Sequence, residues 1–583
     1  MSQFIDTSPR NFGDKHEDGT PILNRYSTVL TNGYDYPGAQ AMLYAEGIKN
    51  KEDMVKKPQV GIASVWWEGN PCNSHLLELG NKVKAAVDKQ GFIGWQFNTI
   101  GVSDAVTQGN EGMRFSLQSR EIIADSIETV TVAQHHDANI SIPGCDKNMP
   151  GCVMAMLRHN RPSIMIYGGS IQPGKSKLTG GDLSISSCFE SAGALMYGKI
   201  NEETMDDIVR HACPGPGGCG GMYTANTMAS GLEVMGLTLP GSSSFPAGSP
   251  AKFRECENAA EAIRVCLEKD IKPRDLVTKE SLENALVLTA ALGGSTNSVL
   301  HFLAISHTAD LNLTIDDFQR VADKTPILAN IKPFGKYMMN DLYEIGGIPS
   351  VCKFLISAGL LNGTLMTVTG KTLEQNVANA PTLEPTQDII RPLSDPIQPK
   401  GPIRILYGSL APGGAVAKIT GKEGETFTGK ARVFDREEQL IHAFTQGDVK
   451  PTENTVLVIR YEGPAGGPGM PEQLKSSALL IGANLKNVAL ITDGRYSGAS
   501  HGFIVGHITP EAQRGGPIAI VKDGDVITID AVNNKLDLHL SDQEIAQRLS
   551  EWKQPPLRVN RGTLGKYCRL VGDASHGAVT DLF

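Results

Sequence analysis

The sequence lacks several features that mark whole classes of protein. It has no run of eighteen apolar residues, so a membrane-spanning helix is not expected. It has no excess of basic residues, since its formal net charge is -9, and a nucleic-acid partner is therefore not expected either. It contains no internal repeat and no low-complexity tract. Its composition, 40% hydrophobic and 20% charged, predicts an ordinary globular protein with a large core.

The cysteines also lack a familiar pattern. The ten cysteines form no CxxC pair and no dense spacing typical of a disulfide framework, which indicates a reducing compartment. The segment "MSQFIDTSPRNFGDKHEDG" mixes acidic and basic residues and has no apolar core. It therefore predicts neither a secretory signal nor an organelle transit peptide, although a processed precursor would look the same.

Short apolar runs alternate with helical patterns over the first two thirds of the chain. Strands are predicted at 58–64, 137–143 and 161–169. Helices are predicted at 74–91, 119–136 and 151–160. Strand, helix and strand at this spacing predict an α/β N-terminal domain with a mainly parallel sheet.

A segment rich in proline follows, and the pattern of apolar residues is different beyond it. We predict the α/β domain over 1–385, a Pro-rich linker over 386–402, and a second domain over 403–583. Beyond the linker, apolar runs are separated by hairpin signals such as Asp523-Gly524 and Asn533-Asn534. This pattern predicts strands joined by tight turns and a C-terminal β-barrel domain.

Three motifs suggest chemistry that their surroundings do not support. "GSIQPGKS" (169–176) matches a P-loop, but "KLTGGDLS" follows where a phosphate-binding helix must begin. "GASHG" (498–502) matches a nucleophile elbow around Ser500, but a strand-like run follows instead of a helix. His135 and His136 stand next to each other at a predicted helix end and cannot easily face one metal ion.

Three cysteines differ from the rest, which fit buried packing positions. Cys72, Cys145 and Cys219 each stand in a loop rich in Gly, Pro or Asn, where a backbone can be shaped around a ligand. Three thiolates from three loops could hold zinc or an iron–sulfur cluster. A cluster with three cysteine ligands would leave one iron position open as a Lewis acid.

Carboxylates occur in similar loops. Asp104 follows "FNTIGVS", Asp146 is adjacent to Cys145, and Glu472 follows "YEGPAGGPGMP". Oxygen ligands of this kind suit Mg²⁺. Each of them taken alone is more readily a solvated loop carboxylate.

These loops carry a family resemblance that extends from about residue 25 to the end of the chain. The sequence resembles the dihydroxy-acid dehydratases, in the wider group that includes the sugar-acid and phosphogluconate dehydratases, and within it the fungal form. The motifs, in order, are "GNPCN", "QFNTIGVSD", "SLQSREIIADS", "PGCDKNMPG", "ACPGPGGCGGMYTANTM", "GGSTN", "YGSLAPGGAV", "YEGPAGGPGMPE" and "DGRYSGASHGFIVGHITPEA".

The resemblance implies two cofactor sites and a catalytic base. It implies a [2Fe–2S] cluster on three cysteines and Ser497 as the base. It implies Mg²⁺ on three carboxylates and on Lys147, which would be carbamylated because an ammonium repels a cation. It also implies a homodimer, located in the mitochondrial matrix if the chain is a processed eukaryotic form and otherwise in the cytoplasm. The ligand residues so implied are Cys72, Cys145 and Cys219 for the cluster, and Asp104, Asp146, Lys147 and Glu472 for magnesium.

The implied reaction is the dehydration of 2,3-dihydroxy-3-methylbutanoate and its methylpentanoate homologue to 2-keto acids, in valine and isoleucine biosynthesis. Ser497, as an alkoxide, would take the C2 proton; magnesium would hold the carboxylate and the C2 oxygen; the open iron would bind the departing C3 hydroxyl. A serine is a weak base unless nearby cations activate it. A sugar-acid dehydratase with the same cluster is the alternative, and a P-loop NTPase is a weaker one.

Some positions depart from the family pattern without removing a ligand. Ala105 stands where Gly is usual, Gly144 where Ser is usual, Tyr496 where Phe is usual and Ala499 where Gly is usual. These changes could reshape the substrate channel. They motivate the hypothesis of a variant enzyme with altered inhibitor sensitivity, against which equal inhibition of this protein and a housekeeping form would argue.

Overall fold

The computed structural model describes residues 10–419, 424–449, 453–483, 485–498, 500 and 502–582. The amino-terminal part is an α/β arrangement around a four-stranded sheet in the order β2-β1-β3-β4, with all pairs parallel, and a small hairpin pairs β5 with β6. The strands of this part are β1 Gln59–Ser64, β2 Ile93–Asn98, β3 Ala138–Ile142, β4 Ser163–Met165, β5 Gly174–Lys175 and β6 Asp182–Leu183.

The helices of this part cover both faces of the parallel sheet and extend beyond it. They are α1 Thr28–Thr31, α2 Pro37–Ala45, α3 Lys51–Lys56, α4 Leu76–Lys89, α5 Asp104–Thr107, α6 Arg114–Ala133, α7 Asn148–His159, α8 Ile185–Met196, α9 Glu202–His211, α10 Thr224–Val234, α11 Pro250–Lys269, α12 Pro273–Leu276, α13 Lys279–Leu292, α14 Asn297–Thr308, α15 Ile315–Ala322, α16 Met339–Glu344, α17 Gly347–Ser357 and α18 Leu373–Val377. In the described part of the chain, none is long and apolar enough to cross a membrane.

Burial explains why these strands form. Every residue of β1 and β3 is buried, as expected for parallel strands that are covered on both faces. The six elements predicted between 58 and 169 lie at β1, α4, α6, β3, α7 and β4. The α/β prediction is therefore confirmed, with bounds shifted by a few residues; β4 is short because Pro162 and Gly168 flank it.

The carboxyl-terminal part is built around an eight-stranded sheet in the order β16-β15-β9-β10-β12-β14-β8-β7. The backbone N–H of Tyr407, just after β7, donates to Asn534 at 3.0 Å, and the N–H of Leu536 in β16 donates back to Tyr407 at 3.0 Å. These bonds join the two outer strands, so the sheet is nearly closed and the barrel-like prediction is confirmed. The strands of this part are β7 Ile403–Leu406, β8 Gly414–Lys418, β9 Thr426–Phe434, β10 Thr455–Ile459, β11 Glu472–Gln473, β12 Val488–Thr492, β13 Arg495–Tyr496, β14 Ile504–Thr509, β15 Val526–Asp530 and β16 Lys535–Leu538. Of these, β11 and β13 form a separate two-stranded sheet.

The barrel is less simple than a run of hairpins. Strands β9, β10, β12 and β14 are parallel neighbours, and parallel strands need a crossover connection. The expectation of tight turns throughout is therefore wrong, because helices connect three of these strands. The helices of this part are α19 Glu437–Thr445, α20 Lys475–Ala483, α21 Asp542–Glu551 and α22 Gly562–Leu570.

The Pro-rich segment packs against the α/β core. Ile390 is buried there and forms a β-bridge with Ala329, and Gln398 forms another with Ile327. The predicted domain bounds within this region remain a prediction.

Two of the three rejected motifs lack the helices that they would need. Lys175 of the P-loop-like segment lies in β5, which pairs with β6 instead of opening a helix. The chain after Ser500 enters β14, with Ala499 and His501 outside the described residues.

The topology brings the conspicuous loops together. β1 lies between β2 and β3, so the loops after β1 and β3 flank a point where the strand order reverses. Ligands of open α/β sheets bind at such a point, outside the carboxyl ends of the strands. In the carboxyl-terminal part, Glu472 follows β10 in the chain and Ser497 follows β12. The predicted site residues of both halves therefore follow strands that pair in parallel.

Candidate functional site

Three cysteines from three loops converge at the carboxyl edge of the parallel sheet. Cys72 follows β1, Cys145 follows β3, and Cys219 precedes α10. Contact with the Cys145 thiol, then burial and the nearby Cys219, raise the pKa of Cys72 well above its usual value. Burial, then the charges of Asp146 and Cys145, likewise raise the pKa of Cys219. Thiols packed together in this way suit a thiophilic metal, whose charge would favour their thiolate forms.

Side-chain amides fix two of these loops. Oδ1 of Asn148 accepts the backbone N–H of Cys145 at 2.7 Å and Nδ2 of Asn73 at 3.0 Å. Oδ1 of Asn70 accepts the backbone N–H of Cys72 at 3.0 Å. The Cys72 and Cys145 loops are therefore held to each other through buried polar groups.

The third loop is tied to the same framework. The backbone N–H of Gly217 donates to the carbonyl of Pro71 at 2.9 Å, next to Cys72 in the chain. Nδ2 of Asn226 donates to the carbonyl of Cys219, and its Oδ1 accepts the Tyr167 hydroxyl at 3.1 Å. Hydrogen bonds from neighbouring residues thus hold the loops of all three cysteines.

Three buried carboxylates meet beside the cysteines. Asp104 begins α5, Asp146 follows Cys145, and Glu472 begins β11, which pairs with β13 in a small sheet beside the barrel. One oxygen from each carboxylate lies within 4.8 Å of the other two. Burial, with the charges of Asp104 and Glu472 adding to it, raises the pKa of Asp146 to about 7. Three carboxylates so close together are the donor set of a divalent cation.

Lys147 reaches into the middle of these carboxylates. Its Nζ lies 3.0 Å from Oε2 of Glu472 and 3.5 Å from Oδ2 of Asp146, and it also contacts Asp104. Burial and the charge of Arg495 lower the pKa of Lys147, but the carboxylates outweigh them and raise it. The Lys147 ammonium therefore lies where the three carboxylates would bind a cation. Their arrangement around one positive charge fits a metal ion at this position.

Three polar residues complete the site, although sequence reasoning gave them no role. Ser116 donates to Oδ1 of Asp104 at 2.6 Å. Nδ2 of Asn297 donates to Oε2 of Glu472 at 2.9 Å, and the fully buried guanidinium of Arg495 contacts the same carboxylate. These residues stand in "SLQSREIIADS", "GGSTN" and "DGRYSG", so their motifs were visible although their contacts were not.

Ser497 lies next to this cluster. It follows β13, and its backbone N–H donates to the carbonyl of Gln473 at 3.0 Å, one residue after Glu472. A Cβ on Gly498 would lie 3.1 Å from the backbone nitrogen of Thr224, where α10 begins. The segment of Ser497 and Gly498 therefore packs between β11, which carries Glu472, and α10, which follows Cys219.

Comparison with known proteins assigns the family. The N-terminal profile of the dihydroxy-acid/6-phosphogluconate dehydratases matches residues 57–376, and the C-terminal profile matches residues 388–578. The chain belongs to this family. The resemblance inferred from the motifs is confirmed, and the chain is a hydro-lyase by class.

Curated relatives agree over nearly the whole chain. The Schizosaccharomyces pombe protein named "Dihydroxy-acid dehydratase, mitochondrial" is 61% identical over 96% of this chain and 94% of its own length. The Saccharomyces cerevisiae protein of the same name is 57% identical over 96% of both chains. The Arabidopsis thaliana protein named "Dihydroxy-acid dehydratase, chloroplastic" is 54% identical over 96% of this chain and 92% of its own length.

An apolar cavity lies against two of the three cysteines and the chain neighbours of Asp104. Its volume is about 210 Å³. Cys72 and Cys219 line it on one side, and Ser103 and Ala105, which flank Asp104, line it on another. Its remaining wall includes Val106, Ile171 and Ile185, and none of its lining residues is Lys, Arg or His.

Three of the four positions predicted to depart from the family pattern lie close to the site. Ala105 lines the apolar cavity, and Tyr496 lines a smaller cavity that it shares with Ser497. Gly144 directly precedes Cys145. Ala499 lies outside the described residues. The hypothesis of altered inhibitor sensitivity remains a prediction.

Proposed function

We propose that this protein dehydrates 2,3-dihydroxy-3-methylbutanoate, and its methylpentanoate homologue, to the 2-keto acid and water in valine and isoleucine biosynthesis. The names of relatives that are 54 to 61% identical support a dihydroxy-acid dehydratase. The observation that carries the substrate assignment is the apolar cavity between Cys72 and the residues that flank Asp104.

The cavity wall favours a branched alkyl chain. Val106, Ile171 and Ile185 would contact methyl and ethyl groups, whose burial is favourable at about 0.8 kcal/mol per methylene. A sugar acid is the alternative substrate within the family. Its hydroxyl groups would lie against these apolar side chains without hydrogen-bond partners, and each unpaired hydroxyl would cost about 1–3 kcal/mol of binding free energy. A phosphorylated sugar acid would also lack a basic partner in this cavity.

The proposed cofactors follow from the donor sets. Cys72, Cys145 and Cys219 would hold a [2Fe–2S] cluster. Magnesium would be bound by three carboxylates and by Lys147 as a carbamate, a modification that would replace a competing ammonium by an oxygen ligand. When bound, magnesium would hold the substrate carboxylate and C2 oxygen, and the iron left open by three ligands would supply a Lewis acid for the C3 hydroxyl. The carboxylates are those of Asp104, Asp146 and Glu472.

The chain's own residues would orient the reaction and move the proton. Asn297 and Arg495 hold the carboxylate of Glu472, and Ser116 holds that of Asp104. Ser497 as an alkoxide would take the C2 proton of the substrate. It would then release this proton to the hydroxyl leaving from C3, which departs as water. The enol that remains would become the 2-keto acid.

Substitution of Ser497 tests the proposal. Ser497→Ala should retain iron, sulfide and magnesium, yet lose about 10²–10⁴-fold in turnover, the usual contribution of a general base. Ser306→Ala is the matched control, since it removes another buried hydroxyl, one that donates to Leu311 within α14 and its loop. Unchanged turnover in Ser497→Ala would overturn the assigned base.

Substrate comparison tests the cavity assignment. Anaerobically purified protein should turn over 2,3-dihydroxy-3-methylbutanoate far better than gluconate, measured as 2-keto acid formed. A preference for gluconate would favour the sugar-acid alternative. An active, colourless protein without iron would contradict the cluster itself.

We also infer a homodimer located in the mitochondrial matrix. The fungal relatives' names include "mitochondrial", which supports this location. Exposed Tyr34, Tyr36 and Met42 on and beside α2 support burial of this surface in an assembly. Light scattering coupled to size exclusion would measure the mass, and a monomer at micromolar concentration would contradict the dimer.

A further inference from the structure

Ser497 lines a second, smaller cavity, which the barrel strands β8 and β14 share with Thr296 of the α/β part. Strand β8 contributes Lys418, β13 contributes Tyr496, and β14 contributes His507. The cavity volume is about 10 Å³, about the space that one water molecule needs. It therefore places a small set of polar groups around the proposed base, separate from the cofactor ligands.

Lys418 is an unusual member of this set. Its side chain is buried, and its Nζ donates to the carbonyl of Gly498 at 2.9 Å, one residue after Ser497. Nζ also lies 4.8 Å from the centre of the Phe334 ring. Within the described residues it forms no ion pair with a carboxylate, and burial lowers its pKa to about 7. A buried amine without a counter-charge is costly unless it can lose its proton.

Other polar atoms point to a proton path. Both ring nitrogens of His507 and the hydroxyl of Tyr496 are buried without a hydrogen-bond partner in the described structure. One water molecule with two to four such partners would satisfy the requirements of a buried site. Ser497 and Lys418 line the same cavity, whose size admits one water molecule.

We propose that Lys418 accepts the hydroxyl proton of Ser497, directly or through one water molecule in this cavity, and so maintains Ser497 as an alkoxide. The O–H bond of the serine breaks and an N–H bond forms on the amine, and no further reactant is needed. The ammonium then lies beside the alkoxide as its counter-charge. Lys418 touches no substrate, so it is a positioning residue. The inference rests on the proposed function of Ser497.

The neighbouring groups leave Lys418 as the acceptor among the described residues. Burial, then the charge of Arg495, lower the pKa of His507 to about 3, so it stays neutral. Burial raises the pKa of Tyr496 well above its usual value. The neighbouring strand β7 contributes Arg404, whose guanidinium lies 3.5 Å from the carboxylate of Asp323.

The pH dependence of turnover distinguishes proton transfer from support of the fold. In the wild type, kcat/KM should fall with decreasing pH as Lys418 becomes protonated. Lys418→Met should lose about 10²–10³-fold in kcat/KM together with this acidic limb, while iron, sulfide, magnesium and the melting temperature stay near wild type. Val416→Ala, which alters the same cavity wall without a titratable group, should retain the limb.

Two further variants keep the test decisive if Lys418→Met does not fold. Lys418→Arg retains a cation but cannot release its proton near neutral pH, so it should remain impaired. Lys418→Ala should recover turnover with added methylamine, in proportion to the free-base concentration. Full activity of Lys418→Arg, or no recovery with methylamine in folded Lys418→Ala, would overturn the inference.

Ser497→Ala distinguishes a failure of the Lys418 role from a failure of the proposed function. If Ser497→Ala is inactive and Lys418→Met has wild-type turnover and pH profile, the role of Lys418 is wrong and the proposed function stands. If Ser497→Ala is active, the proposed base fails, and the role of Lys418 fails with it.

Discussion

Nζ of Lys147 lies 3.0 Å from Oε2 of Glu472, although 325 positions separate the two residues. Lys147 belongs to the loop after β3 of the parallel sheet, and Glu472 begins β11 in the barrel region. Neither half of the chain therefore contains a complete carboxylate cluster. An ion pair of the site joins the two halves, and any step that binds a cation there also depends on their docking.

The amide of Asn297 should influence magnesium binding through Glu472. Its Nδ2 donates to Oε2 of that carboxylate at 2.9 Å. Partners of metal ligands typically affect affinity by about 10–100-fold, so Asn297→Ala should weaken magnesium binding by that factor. Titration calorimetry on cluster-loaded protein would measure it. Asn340→Ala is the matched control, because its amide donates to Gln172 at 2.7 Å. Equal affinity in both variants would contradict the prediction.

Cys219 should be required for the cluster, whereas a packing cysteine should not be. Cys219→Ser should lower iron and sulfide per chain and reduce the visible absorbance, because an alcohol is a poor ligand for iron. Cys256→Ala removes a fully buried thiol from α11 and should leave the cluster intact. A Cys219→Ser protein with full iron and sulfide content would exclude this cysteine as a ligand.

Much of the fold was accessible from local signals. The buried apolar run at β1 and the periodic pattern of α4 identify those elements without tertiary information. The parallel pairing of β10 with β12 was not accessible in that way. It depends on register contacts such as Val456 with Ala489, which lie far apart in sequence, and on helices that replace the expected turns.

The site was accessible only in part for a related reason. One loop could be identified from the sequence, because it places Cys145, Asp146 and Lys147 next to one another. Arg495 stands in a visible motif whose contacts cannot be read from the sequence, and Lys418 is a single basic residue at the end of β8 with no distinctive pattern around it. Their importance appears only when the fold places one against Glu472 and the other in the cavity that Ser497 lines.

The C-terminal segment should contribute stability that depends on pH. Nε2 of His307 lies 3.1 Å from Oδ1 of Asp581, and this hydrogen bond, opposed by burial, raises the pKa of His307. A raised histidine pKa stabilises the fold fully below the unfolded value of about 6.5, and this contribution is lost as the pH rises through the folded value. His307→Gln should therefore destabilise the protein more at pH 6 than at pH 9.

Urea unfolding at the two pH values would measure this difference. A few tenths of a kcal/mol are expected, because both side chains are about one third exposed and solvent screens the pair. Asp581→Asn should remove most of the same pH dependence. A larger effect of His307→Gln at pH 9 than at pH 6 would reverse the sign and contradict the assignment.

Gly144 should be required by the close approach of two cysteine loops. A Cβ at this position would lie 2.2 Å from the carbonyl oxygen of Cys72 and 2.9 Å from Oδ1 of Asn73. The carbonyl oxygen belongs to the backbone and cannot move aside as the end of a flexible side chain can. Gly144→Ala should therefore displace Cys72 and lower the free energy of unfolding by about 1–3 kcal/mol. Lower iron content and a lower melting temperature are expected together. Gly215→Ala is the control in the Cys219 loop, since its Cβ would meet nothing within 4 Å. Full cluster content in Gly144→Ala would mean that the Cys72 loop can move without losing its ligand, and that a serine at position 144 would be tolerated here.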